Sequence, residues 1–429
     1  MRFDVNATPA EIPAFLQRLT EIVGFAAWRQ REQDFIRQIA ENPLIESYLD
    51  LRFPIERAMI YALRYRKSTG RLPAALMADA EIGLLYSFAG MITRIHSRLP
   101  SSAKQRLEGR VRGALKDDAG LMPLAFEVRT IAHLMAAGFD VEPHDLCAGG
   151  GFDLLATKAP DVELEIECKS FGADLGRKVH LLRQYQLGRH LWPLMRAGER
   201  PGTVRLVVAT LPDRLFPAHN FMEAVAASIG RSLEGRIEVA QEGCRSVSYN
   251  ELPIRGTPFD CPSPPRITVD DVMEYCSSVL GYEVGHAMMV FAPRVSATVV
   301  AVRSQKKDDF LLGVYRELRE AARQLSASRP GVICVQFRNV TSAELRDIAG
   351  EPAASGKPTA LQLMTNKFFD SPTRSHVHTV AYLAPGKFVG RQFILGDTRH
   401  SEIKEDAVSY YFTNRRHPLV DDPRWQAFR

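Results

Sequence analysis

Two short apolar stretches hold the residues whose types and spacing could do chemistry. The first, Gly151-Phe152-Asp153-Leu154-Leu155, opens on a carboxylate; the second, Leu164-Glu165-Ile166-Glu167-Cys168-Lys169, ends in a Glu-x-Lys. Side chains on a strand alternate faces, so Glu167 and Lys169 point the same way. A turn at Ala159-Pro160-Asp161 would fold the stretches into a hairpin, and reflection about Pro160 puts Asp153 opposite Glu167. Two carboxylates and an ammonium then converge at one sheet edge. Hard divalent cations take oxygen ligands, so the pattern predicts a Mg²⁺ site with a lysine beside it. Glu165 lies one strand step away and shares the face, so the sequence leaves the ligand open between Glu165 and Glu167.

These residues need elements to hold them. Residues 9–120 read as helical, with Ile12, Phe15, Leu16, Leu19, Ile22 and Val23 at amphipathic spacing. Leu124 to Ala137 predicts a helix that Gly138 ends. Strands follow at about 152–157 and 162–169, then a helix from Arg177 to Arg196 that Pro193 is expected to end or kink. Val204 to Thr210 is almost wholly apolar or β-branched, as in a central strand covered on both faces, and Phe221 to Leu233 is again helical. The order αββαβα predicts a mixed sheet with helices on both sides, an α/β (α+β) class.

Residues 250–266 are proline-rich and read as a linker or surface loop. Beyond them the order αββαβ recurs, ending in a buried strand at Val332–Phe337, with further strands near 377–384, 388–395 and 407–412. A degenerate copy of the first α/β unit is one reading of this recurrence; a chance match, which short patterns produce readily, is the preferred one. Three domains are expected: helical at 1–120, site-bearing at 121–249, and α/β at 267–429.

The chain of 429 residues is 45% hydrophobic and 24% charged, ordinary for a globular protein, with no apolar run of membrane-spanning length. Met1 to Val5 lack the basic-then-apolar pattern of a secretory signal, and none of the six cysteines sits in a C-x-x-C pair. A cytoplasmic protein with reduced thiols and no membrane partner is expected. The net charge of +5 is concentrated early: residues 1–120 carry 18 Lys+Arg against 14 Asp+Glu. Arg64, Arg66, Lys67 and Arg71, beside Tyr61 and Tyr65, form the densest basic stretch. It reads either as a phosphate-meeting patch or as a solvated helix end favoured by the dipole. His376 and His378 share a strand face without a third ligand and are expected at the surface; Arg303, Lys306 and Lys307 read as an exposed basic turn.

Over about residues 122–210 the pattern resembles the PD-(D/E)xK nucleases, the superfamily of restriction endonucleases and Holliday-junction resolvases. Its core order of helix, β-hairpin, helix and strand matches the order read above. Its aspartate corresponds to Asp153 and its (D/E)xK to Glu167-Cys168-Lys169, while Phe152 replaces the proline of the name. Many members carry a glutamate on the preceding helix, where Glu127 stands. The resemblance implies a restriction-endonuclease-like core and catalytic roles for Asp153, Glu167, Lys169 and Glu127. It implies Mg²⁺, with Mn²⁺ able to substitute, held by Asp153, Glu167 and the Cys168 carbonyl, with Glu127 on a second metal or an ordered water. It also implies DNA rather than RNA as substrate and, as in many relatives, a homodimer; the large flanking regions suit a restriction or phage-defence role. The alternative is a nuclease-like subunit that binds nucleic acid or scaffolds a larger complex without cutting.

Overall fold

The computed structural model describes residues 8 and 10–419 apart from 74–79, 160, 173, 198–199, 237–238, 242, 261–268, 283–286, 293, 339, 341, 350–357 and 385–407. The chain runs through α1 (Ile12–Val23), α2 (Phe25–Glu41), α3 (Glu46–Arg52), α4 (Pro54–Thr69), α5 (Ala80–Arg98), α6 (Ser101–Ala114) and α7 (Met122–Ala136). Next come β1 (Asp140–Pro143), α8 (His144–Ala148), β2 (Leu154–Lys158), β3 (Val162–Phe171), α9 (Leu181–Ala197), β4 (Thr203–Leu211) and α10 (His219–Gly235). Then follow β5 (Val239–Gln241), β6 (Cys244–Pro253), α11 (Val269–Leu280), β7 (Ala287–Ala292) and β8 (Ser296–Ser304). The last are α12 (Phe310–Gln324), β9 (Gly331–Phe337), α13 (Ser342–Ala349), α14 (Ala360–Phe369), β10 (Val377–Ala384) and β11 (Val408–Thr413). The class is mixed α/β, with two mixed sheets. The strand expected near 388–395 lies outside the described residues.

The first compact unit comprises Met1–Gln33, Arg52–Leu175 and Phe310–Arg429. Its sheet has the order β1-β2-β3-β9-β10-β11, with β3, β9 and β10 parallel and the remaining pairs antiparallel. On one face Leu154, Ala156, Leu164 and Ile166 pack with α7 and with apolar residues of α1, α4, α5 and α6 in one core. On the other, Ile333, Val335 and Phe337 pack with Val314, Leu318 and Ala321 of α12. Helices α1, α4, α5 and α6 therefore share one core with this sheet and are no separate domain. Their apolar stripes have nothing to cover but one another and the sheet, and they close over its face.

The second unit comprises Asp34–Leu51 and Gly176–Asp309. Its sheet has the order β5-β6-β4-β8-β7, with β4 and β8 parallel. Its long segment is clasped where it begins and ends. The Asp309 N–H donates to the Gly176 carbonyl at 2.8 Å, the Lys178 N–H donates to Asp308 at 2.8 Å, and Lys178 Nζ meets Asp309 Oδ2 at 2.6 Å.

Two expectations need correcting. The Val204–Thr210 strand does not join the hairpin: β4 pairs with β6 and β8, and the parallel neighbour of β3 is β9. Both β4 and β9 are apolar on each face, so composition cannot tell which one completes which sheet. The boundaries at 120 and 249 also fail. Residues 121–249 divide between the sheets, and 267–429 divide at Asp309/Phe310, so β9 completes the first sheet instead of belonging to a second copy. Helix α9 contains Pro193 and runs on to Ala197.

Candidate active site

Strands β2 and β3 form the expected antiparallel hairpin, in register from Lys158↔Val162 to Leu154↔Ile166. The next position along brings Asp153 opposite Glu167. Before Asp153 the chain passes through Gly149, Gly150 and Gly151 at φ of 83°, 151° and 96°, a left-handed run that side chains oppose. Phe152 then stacks on His144 with ring centroids 4.1 Å apart, and the His144 N–H donates to the Asp153 carbonyl at 2.8 Å. Asp153 is thus anchored before its side chain makes any contact.

Beyond Ile166, β3 has no further ladder partner on the β2 side. There the Cys168 N–H donates to Asp153 Oδ2 at 2.7 Å. The N–H and C=O of one strand residue leave along the same edge, so the Cys168 carbonyl faces this edge too. Glu167 is 2% exposed; Oε1 meets Lys169 Nζ at 2.7 Å and Oε2 is buried without a hydrogen-bond partner. Burial, reinforced by the charge of Asp153 and opposed by that of Lys169, pushes the Glu167 carboxyl up to about 7. Burial also raises the Asp153 carboxyl, against the lowering by the Cys168 N–H. Lys169 Nζ donates in addition to Gln324 Oε1 at 2.5 Å, at the end of α12.

Glu165 and Glu167 differ in their partners. Glu165 is fully buried, accepts the Ser326 N–H at 2.7 Å and the Ser326 hydroxyl, and lies 3.3 Å from Arg329 Nη1. Its oxygens are spent on the turn between α12 and β9. Glu167 keeps a free one.

Glu127, on α7, is held differently. Both of its oxygens accept from Arg110 Nη2, at 2.6 and 2.8 Å, and Arg110 Nη1 also binds Asp145. Burial pushes the Glu127 carboxyl up to about 8, with Asp153 and Asp145 adding to the rise and Arg110 opposing it. These side chains fall into two groups. Asp153, Glu167 and Lys169 form one; Glu127, Asp145 and Arg110 form the other, and the charge of Asp153 reaches both. Among the described residues, no three His, Cys, Asp or Glu side chains lie together as a metal-binding group. The sequence reading missed Arg110 and Gln324, since a single helical Arg or Gln carries no signal of its distant partner.

The basic stretch lies where expected, with Arg64, Arg66 and Lys67 exposed at the end of α4 and Arg71 just beyond. Arg64 Nε meets Glu32 Oε1 at 2.5 Å, and the exposed Tyr61 and Tyr65 rings lie 6.0 Å apart. In the second unit, Arg303 lies over the Tyr282 ring at 4.2 Å and Lys306 pairs with Asp213 at 2.8 Å. His378 is buried, 4% exposed, with its ring 4.9 Å from that of His417, so it is not a surface residue.

No family model matches the chain, and no curated protein or solved structure matches it either.

Proposed function

We propose that this protein is a metal-dependent nuclease that hydrolyses phosphodiester bonds, with DNA as the favoured substrate. The observation that carries the reading is the buried, unpartnered Oε2 of Glu167 across from Asp153, at the open edge of β3. Leaving a carboxylate oxygen buried and unpaired is costly, and a divalent cation is a species that satisfies it. Asp153, Glu167 and the Cys168 carbonyl are the oxygen donors that would hold Mg²⁺, which keeps several waters and needs few protein ligands. Bound there, the ion supplies a polarised phosphoryl oxygen and a water of lowered pKa.

The chain's own residues do the positioning. Lys169 is aimed by Glu167 and Gln324 and offers its charge to the phosphate as negative charge develops. Asp153 is fixed by the Cys168 N–H and keeps its second oxygen for the cation. The order α7, β2–β3, α12 and β9, with β9 parallel to β3, has the same sequence of helix, hairpin, helix and strand as the PD-(D/E)xK resemblance, with the second unit between hairpin and helix, and supports the reading. The test is cleavage of a panel of duplex and single-stranded DNA and RNA with Mg²⁺ or Mn²⁺. Asp153→Asn and Lys169→Ala should abolish cleavage and leave binding; a wild-type protein that cuts nothing overturns the reading.

One observation favours a second reading, a subunit that binds nucleic acid without cutting. Arg110 occupies both oxygens of Glu127, which removes that residue from any metal. In that case the panel gives binding alone, insensitive to metal.

A further inference from the structure

Beside the hairpin one guanidinium bridges two carboxylates. Arg110, on α6, gives a single nitrogen, Nη2, to both oxygens of Glu127 on α7, at 2.6 and 2.8 Å, and gives Nη1 to Asp145 Oδ2 on α8. An arginine that meets one carboxylate often sets two nitrogens against two oxygens. Here the fork is split, so one cation joins side chains from two separate helices, as a divalent ion joins its carboxylate ligands. The other Asp145 oxygen accepts the Leu146 N–H at 2.7 Å. The charge of Asp153 acts on Arg110 as well.

The charges around this point do not balance. Asp145, Glu127 and Glu167 each act on or feel Asp153, and Arg110 and Lys169 are the cations that oppose them. His144, beside Asp145, adds to the positive side only when protonated. Four carboxylates against two cations leave a deficit of two charges, which one divalent ion between Asp153 and Glu167 cancels. A second ion at Glu127 would turn the deficit into an equal excess, and an uncompensated charge in a partly buried site is costly. We propose that Arg110 stands in for a second metal ion: it compensates Glu127 and Asp145 permanently, and the site takes a single divalent cation. This rests on the nuclease reading for the ion at Asp153 and Glu167, and it sets the metal requirement of that site. A guanidinium keeps its protons and carries no activated water, so Arg110 supplies charge and position alone.

Counting metal, not cleavage, tests it. Mn²⁺ alone is titrated into the full chain, with free Mn²⁺ read by electron paramagnetic resonance and thermal unfolding followed in parallel. The wild-type chain should bind one ion. Arg110 is 33% exposed, so its removal opens Glu127 and Asp145 to solvent, and Arg110→Ala should bind two. The melting temperature of this variant should rise by about 5 °C more than that of the wild type at Mn²⁺ about 100 times its dissociation constant. Arg110→Lys, which keeps the charge, should stay at one ion, and Arg110→Ala/Glu127→Gln should return to one. A residue that merely braced the helices would lose stability on removal and admit no second ion. Should Arg110→Ala not fold, Arg110→Gln, which keeps hydrogen-bonding groups and loses the charge, takes its place in the count. Two ions on the wild-type chain, or one on the variant without the charge, overturns the proposal. A chain that binds one ion, gains a second without Arg110 and cuts nothing keeps this role for Arg110 and loses the nuclease reading. One that cuts but binds two ions with Arg110 in place does the reverse, and one that binds no Mn²⁺ loses both.

Discussion

Asp153 Oδ2 accepts the backbone N–H of Cys168 at 2.7 Å, which ties the carboxylate opening one hairpin strand to the middle of the Glu-x-Lys on the other. The bond fills an edge position that β2 leaves unpaired. Asparagine can make the same bond through its side-chain carbonyl without the charge. Asp153→Asn should therefore lower Mg²⁺-dependent cleavage at least about 100-fold. In EDTA the same change should raise the melting temperature by about 1–4 °C, because it removes a charge that burdens Glu167 and Glu127. Calorimetry in EDTA and a cleavage assay check the two halves separately; a lowered melting temperature counts against the arrangement.

Glu165 and Glu167 should separate stability from activity. Glu165→Ala strands the Ser326 N–H and Arg329 in the α12–β9 turn and should cost about 2–4 kcal/mol, read from urea unfolding. The specific activity of the folded fraction should survive. Glu167→Gln should do the opposite, with near-normal unfolding and no cleavage.

Arg110 holds two carboxylates that are otherwise buried among like charges. Arg110→Met should destabilise by about 2–4 kcal/mol, and Arg110→Met/Glu127→Met should recover much of that loss, since a buried pair replaced as a pair costs little. A double-mutant cycle in urea measures the coupling; additive losses would contradict the ion pair.

Glu56 gives a pH signature away from the candidate site. It is fully buried, accepts the Leu121 N–H at 2.8 Å, and burial pushes its carboxyl from the ordinary 4.5 up to about 7. The folded chain then holds this proton more tightly than the unfolded chain. Its penalty is absent below about 4.5 and grows as pH rises to about 7, reaching about 3 kcal/mol at about 1.4 kcal/mol per pH unit. Glu56→Gln should flatten the fall in stability between these limits, measured by urea midpoints at successive pH values.

The local pattern was readable where chemistry and strand period coincide. Alternation placed Glu167 and Lys169 on one face, and reflection about position 160, itself outside the described residues, predicted the register that β2 and β3 show. Long-range pairing was not readable. Gly331–Phe337 and Thr203–Leu211 are both strands buried on each face, and only the folded pairing shows that the distant one lies beside β3. The Arg110 and Gln324 contacts escaped for a related reason: each joins positions far apart in sequence, and neither residue type marks its partner.

The clasp between Gly176 and Asp309 has a kinetic consequence. Pairing β3 with β9 requires ends separated by a very long stretch of chain to meet, and the entropy of closing a loop grows with its length. Once the inserted segment has folded, the 2.8 Å bond from Asp309 to Gly176 brings those ends together, and the effective loop shrinks to residues 172–175 and 310–330, α12 among them. The insertion is then expected to act as a splint during refolding, with the second sheet forming before the strand that bears Glu167 and Lys169 is locked in place.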